Sequence, residues 1–271
     1  MTTEVSVSAP RSHYRFKHVA RSEVAKILTL RSTAITCGLT VVACLLVTGL
    51  VAHGALHHDP SYYAFGFDAT QISLTGMIPV ALAGGVFGAL LITSEYSSGT
   101  IRPMFAAAPR RPLLFFAKLA VAAGIMVIAC ELLSFASFFL GQVILSGGGA
   151  PSATLASPGA ARAVVMTGLF VSLLALMSFG FGLIFRSTAA AIAAFAGVIF
   201  VLPLVMHGIS EAGVRYLPTN ILIDSIMATV NQPGQGPRFA PLVPGVGFSL
   251  VALYAAIVLA VGATLFVRRD A

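Results

Sequence analysis

Glu131 stands inside a long apolar run, about 13 residues beyond Lys118 and so roughly 20 Å further along a helix, where a carboxyl group is costly unless it faces a bundle interior or a wet cavity. Its type and place fit two readings equally: a contact on a substrate path, or a neutral, hydrogen-bonded group holding helices together. A second grouping is the segment SEYSSGTIRPMFAAAPRR, Ser94 to Arg111, which mixes acid, glycine, proline and arginine between apolar runs. It cannot lie in hydrocarbon without stranding polar groups. Within it, Ile101 to Ala108 can form a short helix parallel to the surface; Glu95 is placed to cap it or pair with Arg102, and Arg110 with Arg111 can meet anionic headgroups. The bland alternative is a basic loop that only fixes topology. A third grouping, His53, His57, His58 and Asp59, has helical spacing for His53 and His57. With no further ligand tied to it, a wet interfacial loop is favoured over a metal site.

The elements that must position these residues follow from composition. The 271 residues are 58% hydrophobic and only 9% charged, with a mean hydropathy of +0.95. A soluble domain carries about a quarter of charged residues, so this is an all-α membrane protein. Each helical crossing needs about 20 apolar residues, and six such stretches use up the chain: about 33–52, 72–93, 113–145, 163–185, 188–207 and 246–267. Residues 1–32 form an N-terminal arm, 33–267 the six-span domain and 268–271 a tail. From His13 to Leu30 apolar positions alternate with Arg15, Lys17, Arg21 and Lys26, which predicts an amphipathic helix lying on the membrane, with Arg31 at the entry to span one. The 208–245 stretch has an apolar middle too short to cross.

Lys and Arg set orientation, because basic residues in short loops stay in the cytoplasm. Of the 16 Lys and Arg residues, only Arg162, Arg215 and Arg238 fall on one side of a six-span arrangement. The other 13, among them Arg102, Arg110, Arg111, Arg186 and Lys118 snorkelling from span three, fall on the side of both termini. Both termini are therefore expected in the cytoplasm of a cell-membrane protein. The same charges explain a pI near 9.8 without a nucleic-acid partner. The three cysteines lie in apolar runs and form no disulfide framework or zinc spacing. Gly84 and Gly88 make a GxxxG in span two, suited to helix packing or dimerisation.

These motifs in this order resemble the ABC-2 type permeases, small six-span membrane subunits of ATP-driven exporters. The resemblance is carried by SEVAKILTLRST (Ser22 to Thr33), ITSEYSSGTIRPMFAAAPRR (Ile92 to Arg111) followed by Lys118, the hairpin GFGLIFRSTAAAIAAFAGVIFVLPL (Gly180 to Leu204), YLPTN (Tyr216 to Asn220) and the RRDA terminus. It implies an N-terminal interfacial helix and a cytoplasmic coupling helix between spans two and three. Glu95, Tyr96, Gly99, Thr100, Ile101 and Arg102 would then be the residues that contact an ATPase subunit. It further implies a second permease copy or homologue, and ATP with magnesium bound by the partner.

The chain has no GxxxxGK[ST] phosphate cradle, no HExxH and no GxSxG, so no catalytic or metal site of its own is expected. Two other functions fit the residues: an ion-coupled secondary transporter using Glu131, and a membrane sensor or immunity protein without transport.

Overall fold

The computed structural model describes residues 21, 22, 24, 25, 31–58, 63, 67–99, 111–228 and 242–268. Among the described residues the fold is all helical. The chain runs α1 (Arg31–Ala55), α2 (Ala69–Leu74), α3 (Met77–Ser97), α4 (Arg111–Gly147), α5 (Ala160–Phe185) and α6 (Thr188–Ala196), then a π-helical stretch (Gly197–Val201). It continues through α7 (Leu202–Ile209), α8 (Glu211–Val214), α9 (Pro218–Ser225) and α10 (Pro244–Arg268). Six helical stretches are long and apolar enough to cross a membrane: Ala34–Ala55, Ala69–Ser97, Leu114–Gly147, Ala160–Phe185, Thr188–Ile209 and Pro244–Arg268.

Span four, α5, is the axis of the bundle. It packs against α3, α4 and α10, and its buried set includes Phe170, Leu174, Phe179 and Leu183. Because lipid tails are as apolar as leucine, close approach rather than water exclusion must hold such helices together. The GxxxG glycines of α3 serve that purpose within the chain. A Cβ on Gly84 would touch that of Ala175 at 3.5 Å, and one on Gly88 would overlap the Ala175 carbonyl oxygen. Gly180 and Gly262 let α5 and α10 approach in the same way, with Val258 and Leu183 filling the space a side chain would need.

The ends of the bundle differ in chemistry. One face collects the ends of α3, α4, α5 and α10 with Lys118, Arg186 and Arg268. At the far face Asp68 caps α2, accepting from the backbone N–H of Thr70 (2.9 Å) and Gln71 (3.1 Å). Its second oxygen accepts from the N–H of Ala228 at 2.7 Å. Arg162 holds the same strap by donating to the carbonyls of Met227 and Ala228 at 2.9 and 3.0 Å. Gln142 of α4 completes the far face: its amide donates to Ala69 O and Ser73 Oγ, and its carbonyl accepts from Ala153 N–H.

Span five is interrupted for a reason visible in the chain. Pro203 has no N–H and cannot bond the carbonyl four residues back, Ile199. The helix widens there, with the Leu202 N–H reaching Gly197 O. The freed Ile199 carbonyl accepts a hydrogen bond from the Thr219 hydroxyl at 2.6 Å. Thr219 lies in the YLPTN motif, so that motif ties the far-face strap to the break in span five. Thr219→Val removes this bond at nearly constant shape, and should cost about 1–3 kcal/mol, measured as earlier thermal unfolding in detergent.

Asp224 of α9 is partly enclosed, and burial pushes its carboxyl up to about 6. Since the folded state favours the protonated acid, this contribution to stability is fully present below the ordinary value near 3.8 and is lost as pH rises through about 6. Protection of the amides across residues 218–225, corrected for the intrinsic pH dependence of exchange, is therefore expected to be greater at pH 4 than at pH 7.5, a contrast that Asp224→Asn should flatten.

Candidate coupling site

The expected coupling residues fall at the end of α3 and in the segment after it. The last turns of α3 carry Thr93, Glu95 and Tyr96. The helix ends as Ser98 N–H bonds Ser94 O and Gly99 N–H bonds Tyr96 O. Gly99 adopts φ of +70° with nothing near a would-be Cβ, so glycine is needed there for its left-handed backbone alone. Thr100, Ile101, Arg102 and Arg110 lie outside the described residues, as do Arg15, Lys17 and Lys26 and most of the expected N-terminal amphipathic helix. Arg21 is exposed, while Arg31 and Arg111 open α1 and α4.

Lys118 was expected at the lipid–water surface, and the structure corrects this. Its ammonium nitrogen lies 2.6 Å from Glu95 Oε1, and the two side chains are 4% and 1% exposed. The reason is the face of α4 on which it sits. Its neighbours Leu114, Phe115, Ala117 and Ala122 are all buried, within a cluster shared with Ile92, Phe179, Leu183 and Phe266. From that face a carboxylate is closer than water. A charge-assisted bond of this length in so dry a place joins the base of span two to that of span three.

Two further contacts extend the junction. The Arg186 guanidinium sits 5.3 Å from the centre of the Tyr96 ring, within cation–π range. Arg186 reaches it from a left-handed conformation (φ 55°) at the end of α5, unusual for a residue with a Cβ. One residue into α6, the Thr188 hydroxyl donates to Thr93 Oγ1 at 2.7 Å, and Thr93 donates to Ala89 O at 2.9 Å. Spans two, three, four and five are thus bound together at the end of the bundle where α3 stops and α4 starts. Sequence reading placed Arg186 among topology-setting charges and gave Thr93 and Thr188 no role; 95 positions separate the two threonines, and no local pattern links them.

Glu131 lies midway along α4 against Gly168 of α5, where a Cβ would come within 2.6 Å of Glu131 Oε1. That oxygen is enclosed and has no hydrogen-bond partner among the described residues. The histidines stay exposed, and His57 and His58 each place Nδ1 near a carbonyl four residues back, at 3.0 and 3.1 Å. Among the described residues no group of three His, Cys, Asp or Glu could hold a metal ion.

This is a membrane bundle with a buried charged junction where α3 ends and α4 begins, and its sequence matches a known family. The profile of the ABC-2 family transporter proteins matches residues 21–203, more than half of the chain. The chain belongs to that family. It is a multi-pass membrane protein, the permease component of an ABC transporter, and the family implies partnering with an ABC ATPase subunit. No curated protein matches it significantly.

Proposed function

We propose that this chain is the membrane half of an ATP-driven exporter, with both termini and residues 98–110 in the cytoplasm. Two ATPase subunits, which bind ATP and magnesium, press on residues 95–102, and a second permease copy or homologue completes the path. The observation that carries this reading is the Glu95–Lys118 pair. A push on the loop reaches spans two and three together because their bases share a buried charge contact. Arg186 and Thr188 pass the same push to spans four and five. The 13 basic residues on this side support the orientation. Export is the direction that the resemblance implies.

Co-production with the cognate ATPase tests the proposal. The two should co-purify, and ATP turnover by the complex should respond to Gly99→Leu, which forces a side chain into the left-handed position at the proposed contact while the ATPase itself stays wild type. Wild-type turnover in that variant, in a normally folded complex, counts against the coupling role.

Glu131 supports a second reading, since its enclosed oxygen lacks a partner. If proton exchange drove transport, the chain alone would move substrate on a pH gradient and Glu131→Gln would abolish flux. On the ATP-driven reading Glu131→Gln, nearly isosteric, leaves ATP-dependent flux within about twofold, well under 1 kcal/mol. Flux assays with and without ATP separate the two.

A further inference from the structure

Span one is attached along only half its length. Its buried residues are Cys44, Thr48, Ala52 and Ala55, all toward the far face, whereas from Ala34 to Ala43 no described side chain is buried. The attached half is latched by polar contacts. Thr48 Oγ1 lies 2.6 Å from Ser137 Oγ, and Ser137 donates to Ser73 O at 2.6 Å. Below this latch α1 stands off from α3 and α4, leaving a cavity of about 390 Å³.

Its walls include Thr40 and Val41 of α1, Gly84 and Phe87 of α3, and Ala129 and Cys130 of α4. Small residues from two helices face each other there, which is what opens the space. Thr36 and Thr40 bring the only hydroxyls to the described lining, and that of Thr40 is spent on Thr36 O at 2.7 Å. The cavity therefore offers almost nothing to a polar ligand. Protein interiors rarely hold voids larger than a water molecule, and an apolar one stays dry. A dry cavity of about 150 Å³ already takes up benzene; this one is more than twice that size.

Its entrance decides the occupant. Cys37 and Val41 on α1 and Leu132 on α4 line the cavity and are exposed. All three lie within spans, so the opening faces the lipid. A helix from another copy, about 10–12 Å across, would have to rest outside the slot and reach in only with single side chains. A hydrocarbon chain enters lengthwise, and the surrounding medium is made of such chains.

We propose that this slot is a binding site for one acyl chain of a phospholipid from the half of the bilayer nearer Arg31. The headgroup remains at the membrane surface, and the chain fills the gap between span one and spans two and three. The site is independent of how transport is driven.

The full chain, reconstituted in nanodiscs of phosphatidylglycerol with a trace of phospholipid carrying a mid-chain diazirine, tests this by photolabelling and peptide mapping. Adducts are expected to concentrate on Phe87, Ala129 and Cys130, above the yield at Leu46 and Phe139, which are exposed on the far-face halves of spans one and three. Ala129→Phe and, separately, Ala83→Phe fill the slot from different helices; each should cut slot adducts about tenfold, equivalent to roughly 1.4 kcal/mol, and leave those at Leu46 and Phe139 unchanged. The second variant keeps the test alive if the first fails to fold. Slot labelling no higher than at Leu46 and Phe139, or unchanged in both filled variants, overturns the proposal. Disulfide cross-linking between copies through Cys130 overturns it in favour of a second copy.

Discussion

Lys118→Met alone is expected to destabilise the protein by about 3–5 kcal/mol, because it leaves the Glu95 charge buried without the Lys118 ammonium beside it. Both side chains are almost wholly enclosed, at 4% and 1% exposure, so water cannot take the place of the ammonium. The double replacement, Glu95→Met with Lys118→Met, removes both charges and keeps much of the volume. Such exchanges of a buried pair for apolar residues are often neutral or stabilising, so most of the lost stability should return. Thermal unfolding of the four proteins in one detergent gives the cycle, and the coupling between the two sites is the departure from additivity. Transport separates structure from function here. The double variant is expected to fold and reach the membrane, yet fail to link ATP turnover to flux, since an apolar contact between the bases of spans two and three lacks the directional bond that makes them move together. A double variant as unstable as Lys118→Met would show that the pair is not what holds the junction.

Gly88→Val should be among the most damaging small-to-large changes in span two. A Cβ at this position overlaps the carbonyl oxygen of Ala175 and lies 3.3 Å from the Phe179 nitrogen, which are backbone atoms and cannot swing aside. Spans two and four must separate, and with them the contacts that α5 makes to the rest of the bundle. Overpacking typically costs about 1–3 kcal/mol and occasionally more; an obstruction by backbone where α3 crosses α5 belongs at or above the top of that range. Gly38, on the exposed half of span one, is the control, because nothing lies within 4 Å of a Cβ there. Gly38→Ala should be neutral or gain up to about 1 kcal/mol from helix propensity. The yield of monodisperse protein after mild heating distinguishes the two.

Composition and charge made the six spans legible, because apolar length and basic flanks are local properties that a membrane reads directly. The GxxxG of Gly84 and Gly88 was legible as a packing motif, but not which helix it meets. Only the fold places Ala175 opposite it. The Glu95–Lys118 pair was hidden for a different reason. Local reading pointed Glu95 toward Arg102, which lies outside the described residues, and Lys118 toward the lipid surface, while the contact between Glu95 and Lys118 spans 23 positions. Thr219 shows the same limit. The proline that breaks span five is plain in the sequence, while the hydroxyl that satisfies the freed carbonyl comes from 20 residues away. Polar groups buried in a bundle find partners by proximity in space, and so the chemistry of this protein lies mostly in long-range pairs.

A photo-reactive amino acid at Ile101, in the chain co-produced with its ATPase, tests the central claim most directly. The coupling account predicts an ATPase cross-link from position 101 and none from the same group at His57, which lies at the far face. A cross-link from position 57, or none from position 101 in a complex that co-purifies intact, would contradict it.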